Sequence, residues 1–258
     1  MARNGPGLLF PLFAVLLVAA VALPIFSVLF SVSPSDVAHA FSGAAIRDAV
    51  RTSLIASLGA TAIATIFGVP AGYALAGAPA RLRSAALFLL ALPLAFPPVA
   101  SGVMLLSVFG SQAPIGAWLT AVGAPLPDTL LGVAAAEFFV SGSFVAIASA
   151  AAFAVLDPIH ADAARTLGAS EWRIFFRIAL PAASANVLAG IGFAWLRAIG
   201  EYGATSIVAY HPTSLPVALY VSLSASGVRE ALALCYGFVL LAAVVLAAQW
   251  VLRRRVVP

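Results

Sequence analysis

The sequence concentrates its charged side chains in two places, and each place could do a different kind of chemistry. Arg197 and Glu201 stand four residues apart within an otherwise apolar stretch, so on a helix they would share a face and could pair. The segment 157–181 holds three arginines, two aspartates, one glutamate and one histidine. An ion pair in an apolar segment can control a passage for ions, whereas a charged segment between apolar stretches can contact a water-soluble partner.

Several enzyme classes are excluded by residues that the sequence lacks. All 13 basic residues are arginine, so no lysine is present to form a Walker-A phosphate loop. There is also no GxGxxG turn, HExxH pair or Cys/His cluster, and the single cysteine, Cys235, cannot form an intramolecular disulfide. We therefore expect no catalytic residue, metal site or cofactor. Any uphill work must draw its energy from a partner or an ion gradient.

The composition indicates what surrounds the protein. Of the 258 residues, 63% are hydrophobic and 9% are charged, whereas soluble domains average about 45–50% apolar and about 25% charged residues. A chain this apolar has too few polar side chains to cover its own surface. The expected class is an all-α integral membrane protein, with the lipid bilayer rather than nucleic acid as its surroundings.

Apolar stretches between the charged residues predict six transmembrane helices in one domain, 1–258, because a span needs about 20 apolar residues. The predicted spans are 8–31, 53–77, 84–109, 129–156, 185–210 and 231–252. The first is longer than the hydrophobic region of a signal peptide, about 7–15 residues, so we expect it to remain uncleaved. Pro93 and the pair Pro97-Pro98 predict a kink in the third span. An apolar loop or re-entrant segment is expected from there to Pro127.

The arginines predict the orientation of these spans, because short cytoplasmic loops carry the excess of basic residues. With the N-terminus inside, three arginines fall on the outer side, namely Arg47, Arg51 and Arg229. Nine fall on the cytoplasmic side: Arg3, Arg81, Arg83, Arg165, Arg173, Arg177, Arg253, Arg254 and Arg255. Both termini are therefore predicted to lie in the cytoplasm.

Segment 157–181 is the predicted cytoplasmic loop between the fourth and fifth spans, and it contains its own helix signals. Asp157 is a suitable N-cap, Pro158 a suitable first helical residue, and Gly168 a suitable left-handed residue after the helix. A second helix is predicted over 171–180 and ends at the proline that follows. Two interpretations remain open: a helical hairpin that inserts into a groove of a soluble partner, or an amphipathic segment on the bilayer surface.

A resemblance favours the first interpretation. The pattern Asp162-Ala163-Ala164, three residues, Gly168, nine residues, Ile178-Ala179-Leu180-Pro181 resembles the EAA loop of permeases in bacterial binding-protein-dependent ABC importers. Asp162 replaces the usual glutamate. The resemblance implies a type I ABC importer permease fold in a prokaryotic plasma (inner) membrane, and makes this segment the coupling helix that sits in a cleft of an ATP-binding cassette subunit. It also implies a periplasmic or lipoprotein substrate-binding protein, a second permease copy in a homodimer, and ATP bound only by the partner subunit.

The ion pair lies in a second region of resemblance. Segment 195–204 is similar to the R-A-x-G-E-F-G-A segment of molybdate, tungstate and sulfate permeases, with Tyr202 at the usual phenylalanine. The proline-rich segment 92–99 is similar to part of their third span, and the resemblance covers about 53–252. It implies oxyanion transport by alternating access through a dimeric path. The residues placed at the path or gate are Arg197, Glu201, Tyr202, Pro97 and Pro98.

Some interpretations remain open from the sequence. Arg197 and Glu201 either form a self-neutralising pair that fixes helix packing, or they line or gate the path; because Glu201 cancels most of the field of Arg197, neither is predicted as a tight oxyanion ligand. Glu137 is predicted as a boundary residue of the fourth span rather than a proton carrier. Alternative functions are a permease for another small anion such as a phosphonate, a self-sufficient secondary transporter, which would need an internal repeat, and an intramembrane enzyme.

Overall fold

The computed structural model describes residues 9–256, and all regular structure within this range is helical. Arg3 and the side chains of Arg253, Arg254 and Arg255, which the orientation prediction uses, lie outside the described part. The helices are α1 (Leu9–Ser31), α2 (Pro34–Ser42), α3 (Ala44–Ala76), α4 (Ala80–Ala95), α5 (Pro98–Phe109), α6 (Pro114–Ala121), α7 (Leu130–Ala154), α8 (Ile159–Thr166), α9 (Glu171–Ile174), α10 (Leu180–Ile199), α11 (Gly203–Val208), α12 (Leu215–Ser226) and α13 (Val228–Val256). A π-helical turn, Phe175–Ala179, joins α9 to α10.

The number of long apolar helices agrees with the sequence. Five segments are long and apolar enough to cross a membrane, and the bent pair α4–α5 makes a sixth span if it is counted as one. Helices α1, α7 and α13 lie where the first, fourth and last spans are predicted. Helix α3 begins at Ala44 rather than near residue 53, so Arg47 and Arg51 lie on its first turns instead of in a preceding loop. The prediction of an all-α integral membrane fold is confirmed.

The third predicted span is two helices at a sharp angle rather than one kinked helix. Helices α4 and α5 are bent by 111° relative to each other. Pro93 lies within α4 without ending it. The break falls at Phe96, whose extended backbone (φ −74°, ψ 144°) is the conformation that the following Pro97 imposes. The segment up to Pro127 is not only a loop either, because it contains α6.

The fifth predicted span, 185–210, is also divided. Helix α10 ends at Ile199, and α11 begins at Gly203 after a short non-helical break. At the other end, the chain runs from α9 through the π turn directly into α10, so Pro181 does not end a helix as predicted. A proline lacks an N–H and crowds the carbonyl four residues earlier. The wider π turn, in which the Leu180 N–H donates to the Phe175 carbonyl, accommodates it.

Helices α3, α7 and α10 form the core of the bundle, and small residues let them approach closely. A Cβ atom added to Gly72 of α3 would lie 2.5 Å from Ser149 Cβ of α7, so no larger residue fits there. Trp195 Nε1 of α10 donates a hydrogen bond to Ser57 Oγ of α3 at 2.9 Å. The 20 residues of α10 span about 30 Å. This one rigid helix therefore connects the charged segment 157–181 with the break after Ile199.

Candidate coupling loop and candidate translocation site

The charged loop, as we call residues 157–181, begins with the short helix α8. Asp157 Oδ1 accepts a hydrogen bond from the Ile159 N–H at 2.9 Å, as the sequence predicts for a cap, although α8 begins at Ile159 rather than Pro158. Gly168 follows α8 with a φ of +79°. This left-handed conformation costs other residues about 1–2 kcal/mol. The predicted stop signal of the first loop helix is therefore confirmed, whereas its start is one residue later than predicted, with Pro158 rather than Asp157 at the N-cap position.

Arg165 joins the two halves of the charged loop. Its Nη1 lies 2.7 Å from Asp162 Oδ1, and its Nε and Nη2 donate to the two carboxylate oxygens of Glu171 at 2.7 and 3.2 Å. The hydrogen bonds to these carboxylates raise the pKa of Arg165 above its ordinary value. Exposed ion pairs add little stability, but a forked contact to Glu171 fixes the angle between α8 and α9.

Aromatic side chains fasten the charged loop to the ends of the bundle helices. The ring of Phe175, in the π turn, lies 5.1 Å from Tyr73 near the end of α3 and 6.0 Å from Phe153 near the end of α7, between ring centroids. The Tyr73 hydroxyl also donates to Glu171 Oε2 at 3.4 Å. Sequence reasoning missed Tyr73 and Phe153, because their contacts with the charged loop join different helices, and Tyr73 is 98 positions from Glu171. The loop is thus anchored on one side and free on the other.

The free side of the charged loop carries most of the residues that the EAA pattern singles out. Leu167 at the end of α8 is 87% exposed. The pattern's exposed members are Asp162, Ala163, Gly168 and Pro181, and its half-buried members are Ala164, Ile178 and Leu180. The structure therefore divides the pattern into an exposed tip around α8 and a second part that runs from the π turn into the start of α10, where Ile178 and Leu180 are half-buried and Pro181 is exposed.

Arg197 and Glu201 pair, but they do not lie on one continuous helix as predicted. Arg197 lies in the last turn of α10, while Glu201 lies in the break beyond it. Arg197 Nη1 lies 2.6 Å from Glu201 Oε2, a contact at ion-pair distance without hydrogen-bond alignment. Glu201 Oε1 accepts a hydrogen bond from the Ala204 N–H at 2.9 Å, so the same carboxylate caps α11. Its side chain is 1% exposed, against 39% for Arg197.

The two helix breaks, at residues 96–97 and 200–202, pack against each other, and we call this region the double break. A Cβ added to Gly203, the first residue of α11, would lie 2.5 Å from Pro98 Cβ, the first residue of α5. One turn further on, a Cβ at Gly102 would lie 2.7 Å from Ile207 Cβ. The missing side chains of these two glycines therefore allow α5 and α11 to touch.

The structure brings the predicted path residues to one region of the bundle. Tyr202 lies beside Gly203 in the second break, and its ring packs on Tyr220 of α12 at 4.9 Å between centroids. Pro97 and Pro98 are exposed at the first break. Five residues from two distant segments of the sequence thus meet at the double break.

Glu137 does not lie at the end of its span, where the sequence predicts it. It is not a boundary residue, because its side chain is 0% exposed in the interior of α7. The carboxylate of Glu201 is close enough to act on it electrostatically. Sequence reasoning looked for a partner of opposite charge and found none. The structure instead places a second carboxylate near the first. Within the described residues, no group of three or more His, Cys, Asp or Glu side chains could hold a metal ion.

Several helices of the chain are long and apolar enough to cross a membrane, and two of the spans are broken where they touch. A charged loop, held together by Arg165, precedes α10. These features define a multi-pass membrane protein of the transporter class. The chain belongs to the family of binding-protein-dependent transport system inner membrane components, which matches residues 64–256. The match begins within α3, so α1 and α2 precede it.

Individual relatives show which permeases within this family the chain resembles. The chain is 38% identical over 209 residues to the probable molybdenum ABC transporter permease protein of Haloferax volcanii, covering 81% of this chain and 76% of that one. It is 34% identical over 232 residues to the molybdate/tungstate transport system permease protein of Thermococcus kodakarensis, covering 89% and 88%. It is 32% identical over 200 residues to the sulfate transport system permease protein of a Synechocystis species, covering 78% and 72%. The resemblance that the motifs carry is confirmed.

Solved structures share the fold. The chain aligns with a bacterial ABC transporter that imports alginate at a TM-score of 0.69 and 17% identity, covering 96% of each chain. It aligns with the MetNI methionine ABC transporter in an inward-facing conformation at a TM-score of 0.66 and 16% identity, covering 83% of this chain and 97% of the other. The predicted type I ABC importer permease fold is confirmed.

Proposed function

We propose that this protein is the permease subunit of an ATP-driven importer of molybdate or tungstate, with sulfate as the nearest alternative. The names of its relatives support this substrate class. In this proposal a substrate-binding protein outside the membrane, periplasmic or a lipoprotein, delivers the oxyanion. Two copies of the chain enclose a path that opens alternately to the outside and the inside, and both termini lie in the cytoplasm. An ATP-binding cassette subunit supplies the energy.

The observation that carries this proposal is a continuous mechanical connection between the charged loop and the double break. Arg165 ties the exposed helix α8 to α9, and α9 continues through the π turn into α10. Helix α10 then ends at the ion pair of Arg197. A movement that an ATP-binding partner imposes on α8 would therefore reach the double break along a single structural element.

The coupling role is tested at the exposed tip of the charged loop. Gly168→Asp or Ala163→Trp would alter the tip without touching the core, since both positions are exposed. We expect either variant to lose co-purification with the ATP-binding subunit, or to keep it and lose ATP-driven uptake in proteoliposomes. Normal association together with normal uptake in both variants would refute the coupling role.

The gate role of the double break rests on the unequal burial of its ion pair. Arg197 is partly exposed, whereas Glu201 is buried and caps α11. An oxyanion that approached Arg197 would compete with Glu201 for the guanidinium and so weaken the contact that holds α11 in place. Tyr202, Pro97 and Pro98 would then border the opening. The alternative role, packing alone, predicts no such competition.

The substrate is tested with the complete transporter. The permease, its ATP-binding subunit and the loaded binding protein would be reconstituted in liposomes, and uptake of molybdate, tungstate and sulfate would be measured in competition. We expect molybdate and tungstate to compete with each other at lower concentrations than sulfate. Preferential uptake of sulfate or a phosphonate would change the substrate but leave the class intact. Uptake without the ATP-binding subunit would refute the class.

A further inference from the structure

Asp128, two positions before α7, has an unusual backbone conformation. Its φ is +51°, a positive value that no other non-glycine residue in the described range 9–256 shows. Aspartate tolerates this left-handed conformation, but residues held in it often belong to functional sites. The Asp128 N–H donates to the Val208 carbonyl at 3.1 Å, and its Oδ1 accepts hydrogen bonds from the N–H groups of Tyr210 and His211 at 3.0 and 3.4 Å. Asp128 therefore bonds to the main chain at the end of α11.

The residues around Asp128 are fixed to the start of α7. Thr129 Oγ1 donates to the Leu126 carbonyl at 2.8 Å and accepts a hydrogen bond from the Gly132 N–H at 3.2 Å. Gly132 leaves no room for a side chain, because a Cβ there would lie 3.2 Å from Ala209 Cβ and closer still to the Leu126 carbonyl. The bonds of Asp128 therefore restrain the end of α11 relative to α7, a helix of the bundle core.

Helix α11 is too short to be stable by itself, so its position depends on its surroundings and on what holds its ends. It has six residues, whereas isolated helices below about 12 residues are marginal. Glu201 bonds to its first turn and Asp128 to its end. Glu201 is buried, but Asp128 is exposed. Water can replace the partners of an exposed carboxylate at small net cost, so the Asp128 end is the one that can be released.

The Asp128 end of α11 lies away from the charged loop. Asp128 precedes α7 and the charged loop follows it, and the 25 residues of α7 span about 37 Å. Residues 210–213, which follow α11, line a cavity of about 1080 Å³ together with parts of α2, α3, α12 and α13. Along the chain, α11 thus connects the double break with the wall of this cavity.

We propose that Asp128 is a positioning residue of the gate: its bonds to the end of α11 hold this helix against α5 and keep the double break packed until they open. Ile207 packs on Gly102 of α5 next to this end, so a release of the end would separate the two helices there. The inference rests on the proposed function, because it takes the double break to be the gate.

The first measurement is the reaction rate of a buried thiol on α11, in the complete transporter in lipid nanodiscs. Val208 is 3% exposed, so in Val208→Cys, combined with Cys235→Ser, N-ethylmaleimide reaches the thiol only when α11 moves. Mass spectrometry of the permease chain gives the rate. Asp128→Gly suits the left-handed backbone but has no acceptor, and we expect it to raise the rate about fivefold, the effect of one net hydrogen bond on an equilibrium. Asp128→Asn keeps an acceptor oxygen and should react at close to the original rate.

Two controls separate release of α11 from general loosening. Ala124→Gly makes the same loop more flexible but leaves Asp128 in place, and should keep the original rate. Val187→Cys on α10, where Val187 is 4% exposed, reports motion of the bundle core and should not respond to Asp128→Gly. An equal rise at Val187→Cys would show that Asp128 only stabilises the fold. No rise at Val208→Cys, or an equal rise in Asp128→Asn, would show that the hydrogen bonds of Asp128 do not restrain α11. Each of these results refutes the inference.

ATP hydrolysis and uptake, measured with native Val208 and Cys235, test the link to the gate. Without the loaded binding protein, we expect Asp128→Gly to hydrolyse ATP faster than the wild type, and with it, to take up less oxyanion per ATP. Unchanged hydrolysis and uptake despite a faster thiol reaction would refute the gate role of Asp128 and leave the importer intact. A wild-type transporter without ATP-driven uptake would instead refute the proposed function. The thiol measurement needs neither substrate nor ATP, so it would still decide whether Asp128 restrains α11.

Discussion

The charged loop and the double break each hold an arginine paired with a glutamate, but in opposite surroundings. In the loop, the side chains of Arg165 and Glu171 are 44% and 60% exposed. In the break, Glu201 is 1% exposed and also caps α11. Water already solvates the first pair, so losing it costs little, whereas removing one partner of a buried pair strands the other. Changes in the break should therefore cost stability, and changes in the loop should cost coupling.

The largest effect on stability is expected where α5 and α11 touch. Gly203→Val would place a Cβ 2.5 Å from Pro98 Cβ and 3.0 Å from the Val99 nitrogen, so the two breaks would have to separate. Overpacking of this kind costs about 1–3 kcal/mol or more. We expect a clearly lower Tm and loss of uptake.

Gly43→Ala is the control for Gly203→Val, because a Cβ at residue 43 meets nothing within 4 Å. Its Tm should equal that of the wild type. A Gly203→Val protein that melted at the wild-type temperature would show that the packing of α5 against α11 does not stabilise the protein. The double break and the charged loop would then not differ in their effect on stability.

The second prediction separates the two roles of Glu201. Glu201→Ala removes both the cap on Ala204 and the partner of Arg197, and hydrogen bonds to charged groups contribute about 1.5–3 kcal/mol. Glu201→Gln keeps an oxygen that can accept from Ala204 but removes the charge. We expect the Tm to fall in Glu201→Ala and to fall less in Glu201→Gln.

Uptake by Glu201→Gln then decides between gate and packing. If the pair gates the path, a well-folded Glu201→Gln should lose most of its ATP-driven uptake, and Arg197→Gln should do the same. Wild-type uptake in both folded variants would assign the pair to packing alone. The measurement is uptake per folded transporter in proteoliposomes, with the folded fraction determined by size-exclusion chromatography.

The same contrast explains what the sequence could predict. The end of α8 follows from Gly168, and its start is predicted to within one residue from Asp157, which bonds the N–H of Ile159; both act on backbone groups within a few residues, so the local pattern was nearly sufficient. The break after Ile199 has no proline, and it depends on Glu201 reaching Ala204 and on the contact of Gly203 with Pro98. The bond from Ala204 to Glu201 is local, but the contact of Gly203 with Pro98 joins segments more than one hundred residues apart. The burial of Glu137 was missed for the same reason, because only the packing of neighbouring helices produces it.

A smaller effect is expected at Gly168. Gly168→Ala must adopt the same left-handed backbone, at a cost of about 1 kcal/mol, although a Cβ there meets no neighbour within 4 Å. Asparagine tolerates this conformation better than alanine, so Gly168→Asn should melt closer to the wild type than Gly168→Ala. The comparison of the two Tm values isolates backbone strain from contact with a partner. An equal fall in both would place the cause in the side chain instead.

The smallest effect on stability, and the sharpest test of the contrast, is expected for Arg165→Ala. Its ion pairs are exposed, so the Tm should change by no more than the equivalent of about 0.5–1 kcal/mol. Arg165 nevertheless fixes the angle between α8 and α9. Without it, a displacement of α8 would change this angle instead of moving α10. ATP hydrolysis should then continue while uptake per ATP falls.

Arg173→Ala is the matched control, since Arg173 is exposed in the same loop and makes no ion pair with any described residue. If both variants retained the wild-type ratio of uptake to hydrolysis, rigidity of the charged loop would not be what couples it to the double break.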